Sequence, residues 1–216
     1  MKRKTLFLLF YCSTLFAFSA NIYVTTNGDD ALDGTSWESS KFSIQAAIDA
    51  SSLGDTVFIA EGIYNQSIKV KDGVHLFGGY DASTGKRNCE VHSTILDGSG
   101  LEKAIINQTS TFKNITYFDG LILQNANHSS NGGAVILKSN GILNNCTISN
   151  CYTSGSGGAV YNSKGTIANC LIELCESMGA GGAVHNLGGT VENTIIRGCK
   201  GNYAAIRNES NGVVRN

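Results

Sequence analysis

From residue 120 onward the chain aligns with itself almost without gaps. The tetrapeptide Gly-Gly-Ala-Val begins at Gly132, Gly157 and Gly181, at spacings of 25 and 24 residues, and YAAI (203–206) takes the next such place. Three further columns keep the period: Leu143, Ile167, Val191 and Val214; Ile148, Ile172 and Ile196; Asn145, Asn169, Asn193 and Asn216. A period near 24 built from short alternating apolar segments fits helical repeats poorly, because those need longer units and tolerate few glycines. It predicts a coiled β solenoid with one repeat per rung: a strand over 159–162, a turn over 163–165, then strands over 166–170 and 171–175. Rungs stack at about 4.8 Å, so equivalent positions lie above one another. The aliphatic columns would form the core, and the stacked asparagines 145, 169 and 193 would hydrogen-bond along the axis.

The glycines of the repeat, Gly132 with Gly133, Gly157 with Gly158 and Gly181 with Gly182, invite comparison with a phosphate cradle. That reading fails, because the third glycine of a G-x-G-x-x-G starting at Gly155 would be Val160, and a strand follows where a helix N-terminus is required. The pairs are expected instead to turn the corner of each rung, where a Cβ would crowd the next coil or a positive φ is needed. Composition agrees. With 26 glycines and no proline in 216 residues, a helical protein would lose about 1 kcal/mol at each glycine in a helix interior.

Before residue 120 the period blurs but the character persists, in DTVFIAEGIY, VHLFGGY, STILDGSG and DGLILQNAN. The exception is FSIQAAIDASS (42–52), in which Phe42, Ile44, Ala47 and Ile48 would share one face of a short helix. Its place before the first long strand predicts a cap over the open end of the coil, which otherwise exposes apolar core and unpaired backbone. Residues 1–19 read as a secretory signal peptide: Lys2, Arg3 and Lys4 precede an apolar run from Leu6 to Phe18, too short for a comfortable membrane span. Cleavage after Ser19 puts Ala17 and Ser19 at the two small-residue positions and discards Cys12. The remaining 20–216 would be one domain with no membrane span. Its 13 basic and 17 acidic residues give a formal charge of −4, with no concentrated basic surface for nucleic acid.

The run from Ile22 to Tyr80 resembles the opening of right-handed parallel β-helix proteins of the pectin-lyase-like superfamily, particularly exported ones of Bacteroidetes. The Gly-Gly-Ala-Val units with CTISN (146–150) are similar to repeats of chlamydial polymorphic outer-membrane proteins, with Val where those have Ile and with their Phe-x-x-Asn motif only partly matched. The resemblance implies an all-β, right-handed parallel β-helix that is secreted, at the outer surface or in the periplasm. Its chemistry stays open, since the superfamily includes lyases, hydrolases, adhesins and domains with no known chemistry. Polygalacturonase-like members use clustered aspartates, a Gly-His-Gly segment and Arg-x-Lys, because two carboxylates must face one glycosidic bond. None of His75, His92, His128 and His185 lies between glycines, and Arg-x-Lys is absent. Pectate-lyase-like members need a calcium cage, and the clean repeats supply only Glu173, Glu176 and Glu192, too dispersed for one.

Asp29, Asp30 and Asp33 in NGDDALDG are a candidate calcium loop, with an acidic surface turn as the plainer alternative. Cys146 and Cys170 share one column and Cys151, Cys175 and Cys199 another, with Cys89 apart. Close C-x-x-C pairs of a zinc site are missing. Column neighbours are near enough for disulfides in an oxidising compartment, while parallel, buried side chains favour free thiol ladders. If the valines of the repeat point inward, alternation turns Ile136, Tyr161, His185 and Arg207 outward along one face. Tyr161, His185 and Arg207 are therefore the candidate binding residues for a glycan or a surface protein. The chain stops at NGVVRN, in mid-repeat, which reads as a shortened form of a longer surface protein. The function expected is a non-enzymatic, adhesin-like β-helix without a cofactor; the alternative is a polysaccharide lyase or glycoside hydrolase, or an inactive fragment of one.

Overall fold

A computed structural model describes residues 19–216; the proposed signal peptide lies, apart from Ser19, outside them. The chain winds through about six turns of a parallel β-helix. Its strands form four sheets of eight, six, six and four members. One complete coil runs Val135–Lys138, Gly141–Asn144, Thr147–Ser149 and Tyr152–Thr153, then returns to Val160–Ser163 directly above its start. The fourth, short strand at the glycine corner is one that alternation had not revealed. The strands expected over 166–170 and 171–175 are shorter, Thr166–Ala168 and Leu171–Glu173, because asparagine and leucine corners interrupt them.

Register converts sequence period into core. Ile22, Val57, Leu76, Phe118, Leu143, Ile167, Val191 and Val214 form one continuous column through the eight-stranded sheet. A second column joins Tyr64, Leu96, Leu123, Ile148, Ile172 and Ile196, and a third joins Ile68, Ile106, Val135, Val160, Val184 and Ile206. Each buried aliphatic side chain removes apolar surface worth roughly 1.5–3 kcal/mol from water. Three such columns around one axis explain why the strands can be so short.

The two glycines of the repeat do different jobs. Gly132, Gly157 and Gly181 have φ of 75°, 76° and 74°, a left-handed conformation that other residues adopt at a cost. At Gly133 and Gly158 φ is not the constraint; a Cβ there would run into the carbonyl oxygen of Gly158 or Gly182 in the next coil. The asparagine columns need a correction. Asn145, Asn169 and Asn193 are exposed corner residues with φ of 51°, 53° and 45°. Asn193 Nδ2 donates to Asn169 Oδ1 at 3.4 Å, but Asn169 donates to Asn144 Oδ1 at 2.7 Å and bypasses Asn145. The buried ladder lies elsewhere. Asn162 Nδ2 donates to Asn186 Oδ1 at 2.8 Å, and Asn186 Nδ2 to Asn208 Oδ1 at 2.7 Å. Each also ties its own corner, through Gly165, Gly189 and Gly212 respectively.

The cap is the helix Ile44–Ala50, with Ile44, Ala47 and Ile48 buried against the N-terminal end of the core. Phe42 is not on that face. It precedes the helix and is 52% exposed, because Asp30 captures the entry: its Oδ1 accepts from the Phe42 and Ser43 amides at 2.9 and 2.8 Å. Ser43 then caps the helix, accepting from Ala46 N, while Gln66 Oε1 accepts from Ile44 N at 3.0 Å. All six described cysteines are free.

Candidate functional site

The outward column of the glycine-led sheet is in register as alternation requires: Ile136 pairs with Tyr161, Tyr161 with His185 and His185 with Arg207. The Tyr161 and His185 rings meet edge to face, with centroids 5.4 Å apart. The residue that closes the group is Glu209. Its Oε2 lies 3.3 Å from His185 Nε2, and its Oε1 accepts from Arg207 Nε at 2.7 Å. The Arg207 hydrogen bond, followed by that of His185, holds the Glu209 carboxyl below its ordinary range. Arg207 also lies 5.4 Å from the ring of Tyr203, which is 83% exposed.

The three candidates are therefore not equivalent. Arg207 is exposed, Tyr161 half-buried, and the His185 side chain only 13% exposed. His185 Nδ1 is the one buried side-chain polar atom without a hydrogen-bond partner among the described residues. Glu209 was legible in principle, two residues beyond Arg207 on the same strand face. Tyr203 was not, since a corner of positive φ, 80°, aims it.

A second outward cluster, on the N-terminal part of the eight-stranded sheet, escaped sequence reasoning. Tyr23, Phe58 and Phe77 pair in one outward column. Loop 25–43 lays Trp37 against Tyr23 and Tyr80, with centroids at 4.7 and 5.7 Å. Arg87, from the loop after Tyr80, lies over Phe77 and Tyr80 at 5.2 and 5.9 Å. The alternation in TVFIA and HLFGGY signalled outward aromatics; the long-range arrival of Trp37 and Arg87 had no local signal. Arg87 also pairs with the buried Asp119, which accepts in turn from Asn144 Nδ2, and Asn144 accepts from Asn169. A polar line thus runs along the axis from Arg87 to Asn193.

The acidic candidates are engaged locally. Asp29 accepts from Ala31 N, Asp30 from the helix entry, and Asp33 from Thr35 and Ser39. Among the described residues no three His, Cys, Asp or Glu side chains converge as metal ligands would. Asp97 behaves similarly: burial opposes its ionisation, but hydrogen bonds from Ser99, Gln124 and Asn125 outweigh burial and hold its carboxyl at about 2. A groove of about 740 Å³ lies beside the cap, between Phe42, Ile63, Asn65, Leu101 and Lys103.

The family model described as "Protein of unknown function (DUF1565)" matches residues 26–216. No curated protein and no solved structure matches the chain.

Proposed function

Since the chain belongs to the DUF1565 family, whose description assigns no activity, we propose on geometry that it is an exported, non-enzymatic parallel β-helix of adhesin-like type. It displays an extended outer face for contact with a glycan or a surface protein, in the manner of the pectin-lyase-like and polymorphic outer-membrane repeats it resembles. The observation that carries this reading is the columnar arrangement of outward groups. Tyr161, His185 and Arg207 occupy successive coils of one face, with Glu209 on the same strand as Arg207, and the polar line from Arg87 to Asn193 follows the same axis. A hydrolase or lyase would instead draw acidic and basic groups together across one groove.

Export is supported by the leader-like residues 1–19 and by one contact. Ala20 N lies 2.7 Å from the Asp55 carboxylate, a side chain only 6% exposed. Cleavage after Ser19 would place a charged amino group there, a stronger partner than an amide. No helix among the described residues is long and apolar enough to cross a membrane. We place the mature chain outside the cell or at its outer surface, with the periplasm as the other exported location.

The test uses secreted chain whose N-terminus is sequenced and expected at Ala20. It is applied to a glycan array and to cells, beside a Tyr161→Ala/His185→Ala double variant and with a parallel assay of uronate-polymer cleavage with and without calcium. Specific binding reduced at least tenfold in the double variant is the expected result. Unchanged binding profiles would remove the outward column from the reading, and polymer cleavage would replace display by the lyase or hydrolase alternative.

A further inference from the structure

The cysteines of the two columns are graded in access. Cys151 and Cys175 are each 1% exposed, Cys146 and Cys170 no more than 3%, while Cys199 is part-exposed. Register fixes their relation. Ile172 pairs with Ile196, Glu173 with Arg197 and Glu176 with Lys200, so Cys175 and Cys199 occupy the same corner of successive coils. The Cys199 thiol reaches the Cys175 backbone, Cys175 N donating to Cys199 Sγ at 3.5 Å. The coil spacing of about 4.8 Å falls inside the 4.4–6.8 Å Cα separation of disulfides. Both cysteines lie at the corner outside the strands Leu171–Glu173, Glu176–Ala180, Ile195–Arg197 and Lys200–Asn202.

We propose that Cys175 and Cys199 are an oxidation site, the reduced form of an inter-coil disulfide made by exchange with a low-molecular-weight disulfide. The Cys199 thiol gives its proton to solvent, and its thiolate attacks one sulfur of that molecule. Its S–S bond breaks, a mixed disulfide forms at Cys199, and one small thiolate leaves. Cys175 then loses its proton, attacks Cys199 Sγ and displaces the second small thiolate. Two protein thiols are oxidised, and one small disulfide is reduced to two thiols.

Entry is through Cys199 because the other column members are closed to an oxidant. The reaction is slow at neutral pH, since the Cys199–Cys175 hydrogen bond and burial raise the Cys199 thiol above its ordinary value. The hydrogen bond with Cys151 and burial likewise hold Cys175 at about 12. The rate therefore rises with pH as the thiolate fraction grows.

The experiment incubates the folded chain with oxidised glutathione and follows intact mass, peptide map and melting temperature, beside Cys199→Ser and Cys89→Ser variants whose circular dichroism matches wild type. Wild type and Cys89→Ser are expected to lose two hydrogens, to yield a peptide joining Cys175 to Cys199, and to melt on the order of 5–10 °C higher. Cys199→Ser should show none of these changes. A persistent glutathione adduct at Cys199, a bridge between any other pair, or oxidation only after unfolding would each overturn the proposal.

Discussion

At the scale of single residues, two asparagine sets of similar appearance have opposite weight. Asn162 and Asn186 are fully buried, and every polar atom of their amides is used between corner and neighbouring coil. Asn169 is exposed and makes its bonds in water's presence. Asn186→Ala would leave one Asn162 amide N–H without its acceptor in the interior and remove the ties to Gly189 and Asn208, at a cost of about 2–3 kcal/mol, whereas Asn169→Ala is expected within about 1 kcal/mol of wild type. Denaturant titration of both variants measures the difference, and equal losses would show that burial is not what distinguishes them. Sequence periodicity exposed the asparagine columns at the sheet corner but could not rank them. The Asn162 column is interrupted one coil earlier by Leu137, its register partner, and so hid its own period.

At the scale of elements, the cap and the outward face repay separate comparison with the sequence. The apolar spacing of Ile44, Ala47 and Ile48 was enough to identify the helix and its buried face. Phe42 falls outside that face because the Asp30 carboxylate, twelve residues away in sequence, accepts from the Phe42 and Ser43 amides just before the helix. Ile48→Ala should cost about 2–4 kcal/mol, the range for emptying a buried aliphatic site. That loss, read from unfolding curves, should exceed that of Phe42→Ala, which removes a ring already half in water. On the outward face, period-two alternation sufficed to align Ile136, Tyr161, His185 and Arg207, since register in a parallel sheet with one buried side leaves no freedom to slip. It said nothing of how far each is covered, which depends on Glu209 and the neighbouring coil.

At the scale of the whole molecule, each coil contacts only its neighbours, so stability accumulates coil by coil. The middle coils have a neighbour on both sides, while the N-terminal coil has the helix. Over the last two coils described, Ile195, Val213 and Val214 are 64%, 43% and 47% exposed. Hydrogen exchange is therefore expected to be slowest at the amides of Leu143, Ile148 and Val160 and faster by at least tenfold at those of Ile196 and Val214. Uniform protection along the axis would contradict nearest-neighbour coupling. The coil and its inward columns follow from the repeat alone, because one rung length with alternating apolar positions leaves stacked parallel strands as the way to bury them. The sequence also located the cap and the line of the outward stripe. Which asparagines are interior, which aromatics Trp37 and Arg87 gather, and which thiol can be reached emerge only from the packed coil. Those outcomes depend on loops crossing between coils and on the cover each coil receives from the next, and neither leaves a local period to read.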